Sequence, residues 1–227
     1  NALMWGGSVV TLTQPAFAAD ELWQTVARDK VYQVAIVGDA FAKPMLRALD
    51  EAPGRHDLSA LNSIISSGVM WSKEVKDALL RHAPHLILID AWGSSEAVGL
   101  GLSITTKDGV SRTAKFSLAN SGVKVLTEAG EEVQPGSGVP GMIARPEPIP
   151  LGYYKDPEKT AATFRTFHGK RYSLPGDWCV VEADGTLTLL GRGSVCINTA
   201  GEKVYPEEVE EALKLHPDVE DALVVGV

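Results

Sequence analysis

The stretch Tyr172–Glu211, YSLPGDWCVVEADGTLTLLGRGSVCINTAGEKVYPEEVEE, sets the frame for the rest of the chain. Trp178–Glu182 and Thr186–Leu190 are runs of β-branched and apolar residues joined by Ala183-Asp184-Gly185. That pattern predicts a β-hairpin, with Gly185 at the position most in need of a positive φ. Asp177 stands just before the hairpin and Arg192 just after it, so closing the hairpin should bring this carboxylate and this guanidinium together. Downstream, Tyr205-Pro206-Glu207-Glu208 opens a helix, with proline in the first turn and acids at the positive end of its dipole. Val209, Ala212 and Leu213 form its apolar stripe, and Lys214, His216 and Pro217 close it.

Upstream of this stretch, from about Ser103 to Leu190, short alternating runs (Gly122–Leu126, Gly141–Ala144) are divided by turns such as EAGEEVQPGSGVPG and RPEPIPLGYY. The density of breakers predicts an antiparallel β-subdomain. One short helix is expected inside DPEKTAATF, with Pro157 and Glu158 in its first turn. Residues before Ser103 read differently. After the β-branched run Ser8–Leu12, predicted helices at Asp20–Arg28, Phe41–Glu51 and Lys73–His82 alternate with predicted strands at Gln33–Val37, Ser63–Ser66 and Leu86–Asp90. Pro44 is placed in the first turn of the second helix, and Ser72 is the N-cap candidate of the third. Fully apolar strands alternating with helices mean a parallel sheet covered on both faces. The fold class is therefore α/β: a doubly wound parallel sheet over residues 1–102, an antiparallel β-subdomain over 103–192, and the start of a small α+β domain over 193–227, with the junction at Gly193-Ser194.

With 227 residues, 44% hydrophobic and 22% charged, the composition is that of a globular protein. A net charge of −8 argues against a nucleic-acid or anionic-membrane surface. No apolar run approaches the ~20 residues of a membrane span, and the first residues lack the charged and apolar regions of a signal peptide. Cys179 and Cys196 are too far apart for a CxxC pair, which suggests free thiols in a reducing compartment and predicts a cytoplasmic location. The chain opens on Asn1 inside an apolar segment and closes at Val227 on a strand-like run, so a piece of a longer protein is expected. Oligomeric state is left open.

In an open α/β sheet, ligands sit outside the carboxyl ends of the strands. Two loops occupy such ends, Ser66-Ser67-Gly68-Val69 and Ala91-Trp92-Gly93-Ser94-Ser95-Glu96. Asp90 ends a strand, the Trp92 ring could stack on a base, and the Glu96 carboxylate could take a hard cation such as Mg²⁺. The plainer alternative is a capped strand end with a core tryptophan and a solvated glutamate. Gly68 is required by a turn whether or not a ligand is present. Asp177 could accept from the two adjacent hydroxyls of a ribose while Arg192 adds donors and positive charge; as a simple ion pair, the two would only tie the hairpin base. GSSEA also lies close to a G-x-S-x-G nucleophile elbow centred on Ser95, but AVGLGLS is a poor helix to follow one, and His168 and His216 sit in unsuggestive contexts. Tyr153-Tyr154 read as packing of the β-subdomain.

Taken in order, YSLPGD, GR and GEKVYPEEVE resemble consecutive motifs of the adenylate-forming superfamily of acyl-CoA synthetases, luciferases and peptide-synthetase adenylation domains, with wording most similar to the fatty-acyl-CoA synthetase branch. WGSSE is similar to that family's aromatic-Gly-x-Thr-Glu motif, with Trp92 for tyrosine and Ser95 for threonine. Around Gly68 the match is partial, since Ser67, Val69 and Met70 replace the family's first glycine, alanine and proline. The resemblance implies ATP-dependent activation of a carboxylic acid, expected to be a fatty acid, to an acyl-adenylate, followed by transfer to coenzyme A. It implies that Gly68 and Trp92 frame adenine, that Gly93 belongs to the same cofactor-binding set, that Ser95 meets the α-phosphate, that Glu96 is the catalytic support of the Mg²⁺–ATP complex, and that Asp177 and Arg192 hold the ribose. It further implies a hinge at Ser194 and a thioester-step loop carrying Gly201 and Lys203. Residues 1–192 would then be part of a large N-terminal domain and 193–227 the start of the C-terminal one. The family's phosphate loop and its last catalytic lysine fall outside these residues, so the 227-residue chain alone is expected to lack ligase activity. Two other readings remain: an adenylation domain loading a carrier protein, and a nucleotide-binding remnant without catalysis.

Overall fold

A computed structural model describes residues 2–69, 71–109, 115–118, 122–193, 196–199, 202–214, 216, 218, 219 and 222–226; within the last strands and helix, the side chains of 198, 199, 202, 203, 207, 208 and 211 are not described. The contacts divide the chain into two compact units, residues 1–90 with 104–113, and residues 91–103 with 114–227.

The first unit alternates as the apolar pattern requires: α1 (Ala19–Asp29), β1 (Gln33–Ile36), α2 (Asp39–Glu51), β2 (Ser63–Ser67), α3 (Lys73–His82) and then β3 (Ile87–Trp92), whose last two residues belong to the second unit. The strands lie in the order β1-β2-β3, and β1 pairs with β2 in parallel, Val34 opposite Ile64 and Ala35 opposite Ile65. Trp23, Met45, Leu61, Ile64, Leu79 and Leu88 are almost fully buried in one core, and the Trp23 indole donates to the Met45 carbonyl at 2.9 Å. Lys76 is buried on α3 and bonds Asp90 at 2.9 Å. Removal from water drives the Asp90 carboxyl upward, against the pull of the Lys76 charge.

Three local expectations change. Ser8–Leu12 forms no strand; Val9 and Val10 are exposed, without the partner that strand geometry requires. Helix α2 starts two residues earlier, at Asp39, so Pro44 lies inside it rather than in its first turn. The start is fixed by Gly38, whose φ of +56° turns the chain and whose N–H donates to the Ser66 hydroxyl at 2.8 Å. Ser72 precedes α3 without a side-chain cap; instead its backbone N–H donates to Asp39 Oδ1 at 3.1 Å.

The strands of the second unit pair antiparallel. Its strands are β4 (Gly101–Thr105), whose final two residues fall in the first unit, β5 (Lys115–Leu118), β6 (Lys124–Leu126), β7 (Pro140–Pro146), β8 (Phe164–Phe167), β9 (Lys170–Ser173), β10 (Asp177–Val181) and β11 (Leu187–Arg192). They follow the order β4-β5-β11-β10-β7-β9-β8, with β6 on β7. Helix α4 (Pro157–Thr163) leads into β8. β12 (Ile197–Thr199) and β13 (Glu202–Val204) make a separate ribbon before α5 (Pro206–Lys214). The hairpin β10–β11 closes through Gly185 at φ +80°, and Asp184 Oδ1 accepts from both the amide and the hydroxyl of Thr186. Among the described residues, no helix is long and apolar enough to cross a membrane.

Candidate nucleotide site

Asp177 opens β10 and Arg192 closes β11, and the register sets them directly opposite each other. Arg192 Nε donates to Asp177 Oδ1 at 3.2 Å. The other carboxylate oxygen, Oδ2, accepts from the Trp92 indole at 2.9 Å. The hairpin base and the end of β3 therefore meet on one carboxylate, and these two donors take two of its roughly four lone-pair positions. Of the two sequence expectations for Trp92, a ring stacked on a base or a core tryptophan, the burial matches the second. The residue is 7% exposed and its ring packs against Phe116 at a centroid distance of 5.2 Å, so in this conformation it acts through its N–H.

The loop after Trp92 is a closed turn. Leu100 N–H donates to the Trp92 carbonyl, Ser94 and Ala97 exchange backbone bonds, and the Ser94 hydroxyl accepts from Ala97 N–H at 3.1 Å. This leaves Ser95 and Glu96 at the corner, Ser95 exposed and Glu96 half-buried. Gly93 allows the close approach, because a Cβ there would stand 3.2 Å from the Gly99 nitrogen. Arg145, on β7, donates to the Gly99 carbonyl at 3.1 Å and anchors the far side of the turn.

Glu96 finds a partner that sequence reasoning assigned to packing: the Tyr153 phenol donates to Glu96 Oε1 at 2.5 Å. That hydrogen bond is the largest cause holding the Glu96 carboxyl below its usual range, and the Lys159 charge adds to it. Loss of water, and then the bond to Glu96, push the Tyr153 phenol above its usual value. A hint lay in the chain itself, since GYYKDPEKT puts a glycine before the tyrosine and a capped helix after it, more machinery than packing needs.

Gly68 follows β2 at φ +89° in the first unit, as its turn requires. Lys203 lies in β13 opposite Asn198, and only its backbone is described. Ser194 and Gly201 lie outside the described residues. Among the described residues, no cluster of three or more His, Cys, Asp and Glu could hold a metal ion. A single ionised carboxylate, Glu96, nevertheless suits Mg²⁺, which keeps waters and phosphate oxygens among its ligands and takes only one or two carboxylates from protein. A depression in the first unit, bordered by Asp77, Arg81 and Lys107, includes none of the candidate site residues.

The family profile described as AMP-binding enzyme matches residues 1–154. The chain belongs to the AMP-binding enzyme family. It is 49% identical over 217 residues to the medium/long-chain-fatty-acid–CoA/3-oxocholest-4-en-26-oate–CoA ligase of Mycobacterium marinum, a match covering 96% of this chain and 39% of that protein. It is 48% identical to the 3-oxocholest-4-en-26-oate–CoA ligase of Rhodococcus rhodochrous, over 100% of this chain and 41% of the relative. Among solved structures, the anthranilate CoA ligase AuaEII in complex with anthranoyl-AMP matches with a TM-score of 0.77 at 25% identity, over 98% of this chain and 41% of that one. The α/β fold expected from the strand–helix pattern is the fold of these AMP-binding relatives. The chain spans about two fifths of the length of the curated relatives it matches.

Proposed function

We infer that the protein carrying these residues joins a carboxylic acid to coenzyme A with ATP. The acid carboxylate attacks the α-phosphate, forming an acyl-adenylate and releasing pyrophosphate. The coenzyme A thiol then attacks the acyl carbonyl, and AMP leaves with the bonding pair. The observation that carries the reading is the Asp177 carboxylate, fixed by Trp92 on one oxygen and Arg192 on the other, with acceptor capacity left for two vicinal hydroxyls.

In this reading Asp177 and Arg192 bind the ribose, with Trp92 and Gly93 beside the adenine; a cofactor role for Gly68 rests on the sequence resemblance alone. The exposed Ser95 hydroxyl donates to the α-phosphate. Glu96 holds Mg²⁺, which when bound neutralises phosphate charge. Gly201 and Lys203 belong to the loop of the thioester step, and Ser194 to the hinge that brings it in. The names of the relatives support a fatty or steroid side-chain acid as substrate, and free coenzyme A rather than a carrier protein as acceptor.

Calorimetry with AMP and turnover with fatty and steroid acids test this in the complete gene product. Asp177→Asn places an amide where two donors converge, and it should weaken AMP about tenfold or more, on the scale of a hydrogen bond to a charged group. Unchanged AMP affinity would remove the ribose assignment. Transfer to a phosphopantetheinyl carrier but not to free coenzyme A would replace the acceptor.

A further inference from the structure

The motif GYYKDPEKT, residues 152–160, is left without a role by the reading above. Its geometry is heavily determined. Arg171 donates to the Pro150 carbonyl at 3.1 Å and to the Leu151 carbonyl at 2.7 Å. Gly152 leaves no room for a side chain, since a Cβ there would stand 2.5 Å from Thr160 Cγ2. Tyr153 N–H donates to Thr160 Oγ1 at 2.8 Å, and that hydroxyl donates onward to the Asp156 carbonyl at 2.6 Å. Asp156 caps α4 by accepting from Lys159 N–H. The Tyr153 ring is flanked by Phe164 at 5.8 Å and by the Lys159 ammonium at 4.3 Å.

The segment does not fill a core. Tyr154 within it and Leu151 just before it are 89% and 94% exposed. What all this tethering delivers is one phenol, placed 2.5 Å from Glu96 Oε1. A carboxylate at the corner of a four-residue turn is free to swing unless a neighbour fixes it, and a hydrogen bond from an immobile donor does so at little entropic cost.

We propose that Tyr153 is a positioning residue: aimed by Gly152, Thr160 and the capped start of α4, it holds the Glu96 carboxylate in the orientation that receives the divalent cation of ATP. The proposal rests on the reading of Glu96 as the cation-binding carboxylate and adds the device that aims it.

The test titrates Mn²⁺, as a paramagnetic stand-in for Mg²⁺, into the complete gene product with a non-hydrolysable ATP analogue bound, reading free Mn²⁺ by electron paramagnetic resonance. Tyr153→Phe keeps the ring contacts and deletes only the hydroxyl. It should weaken Mn²⁺ about tenfold, the loss typical when a ligand's outer partner is removed, while the melting temperature holds. Unchanged Mn²⁺ affinity in folded Tyr153→Phe overturns the proposal. Glu96→Gln separates the two layers. If it abolishes Mn²⁺ binding while Tyr153→Phe does nothing, only the positioning role fails; if Glu96→Gln also leaves binding intact, the reading of Glu96 fails with it. Should Tyr153→Phe not fold, Thr160→Val decides: it frees the tyrosine backbone without touching the phenol, so weaker Mn²⁺ binding upholds the proposal and unchanged binding overturns it.

Discussion

Asp177 and Arg192 are paired, yet they are not equivalent. The side chain of Asp177 is 9% exposed and that of Arg192 60%. Replacing the arginine with alanine removes a mostly solvated ion pair, so Arg192→Ala should move the unfolding free energy by less than about 1 kcal/mol. Asp177→Asn should lower it by about 1–3 kcal/mol, because an amide cannot accept from both the indole and the guanidinium without turning a donor toward one of them. Urea denaturation of the two variants side by side checks the order. The sequence could name Asp177 and Arg192 because a hairpin joins its own ends, a local rule. It could not name Tyr153 as the partner of Glu96, because 57 residues separate the two and no short-range signal spans that distance. The burial of Trp92 against Phe116 depends on β5, which the local letters around Trp92 do not reveal.

The strands of the second unit carry their own constraints. Gly141 on β7 exists for space: a Cβ there would stand 2.7 Å from both Val125 Cγ1 and Val133 Cγ2 and 3.0 Å from the Leu126 carbonyl. Gly141→Ala should therefore cost about 1–3 kcal/mol by overpacking, seen as a lower melting temperature. On the neighbouring β10, burial and then the Asp177 charge push the Cys179 thiol up to about 12. A group whose folded value lies above its unfolded one stabilises fully below the unfolded value and loses that contribution as the pH rises through the folded one. Cys179 should thus stay a thiol and resist alkylation at pH 8 in the folded chain, and should weaken the fold between about pH 9 and 12; Cys179→Ala should flatten that alkaline decline. Mass spectrometry after iodoacetamide at pH 8, with and without urea, reads the first effect. Helix and strand identities were legible where apolar periodicity ran long, as in α1, α3 and β3. The start of α2 was not, because Gly38 is fixed by the hydroxyl of Ser66, 28 residues away. Nor was the fate of Ser8–Leu12, since β propensity without a partner strand makes no ladder.

Across the chain, the switch from helix–strand alternation to breaker-rich short strands, legible near Ser103, corresponds to a change from mostly parallel to antiparallel pairing. Each unit also keeps polar groups where a pattern of apolar letters gives no warning. Lys76 sits on the buried face of α3 and answers Asp90. Lys76→Met alone should destabilise by about 3–5 kcal/mol by leaving an uncompensated buried carboxylate, whereas Lys76→Met with Asp90→Leu should recover most of the loss; chemical denaturation compares them. The five tryptophans give the intact protein a further use. Trp92 donates its indole N–H to the Asp177 carboxylate, which is proposed to receive a ribose. It is thus a natural optical reporter: arriving AMP would compete for Asp177 and alter the polarity sensed by the excited indole, so emission should shift on titration, and Trp92→Phe should silence that signal while the other four chromophores keep shining.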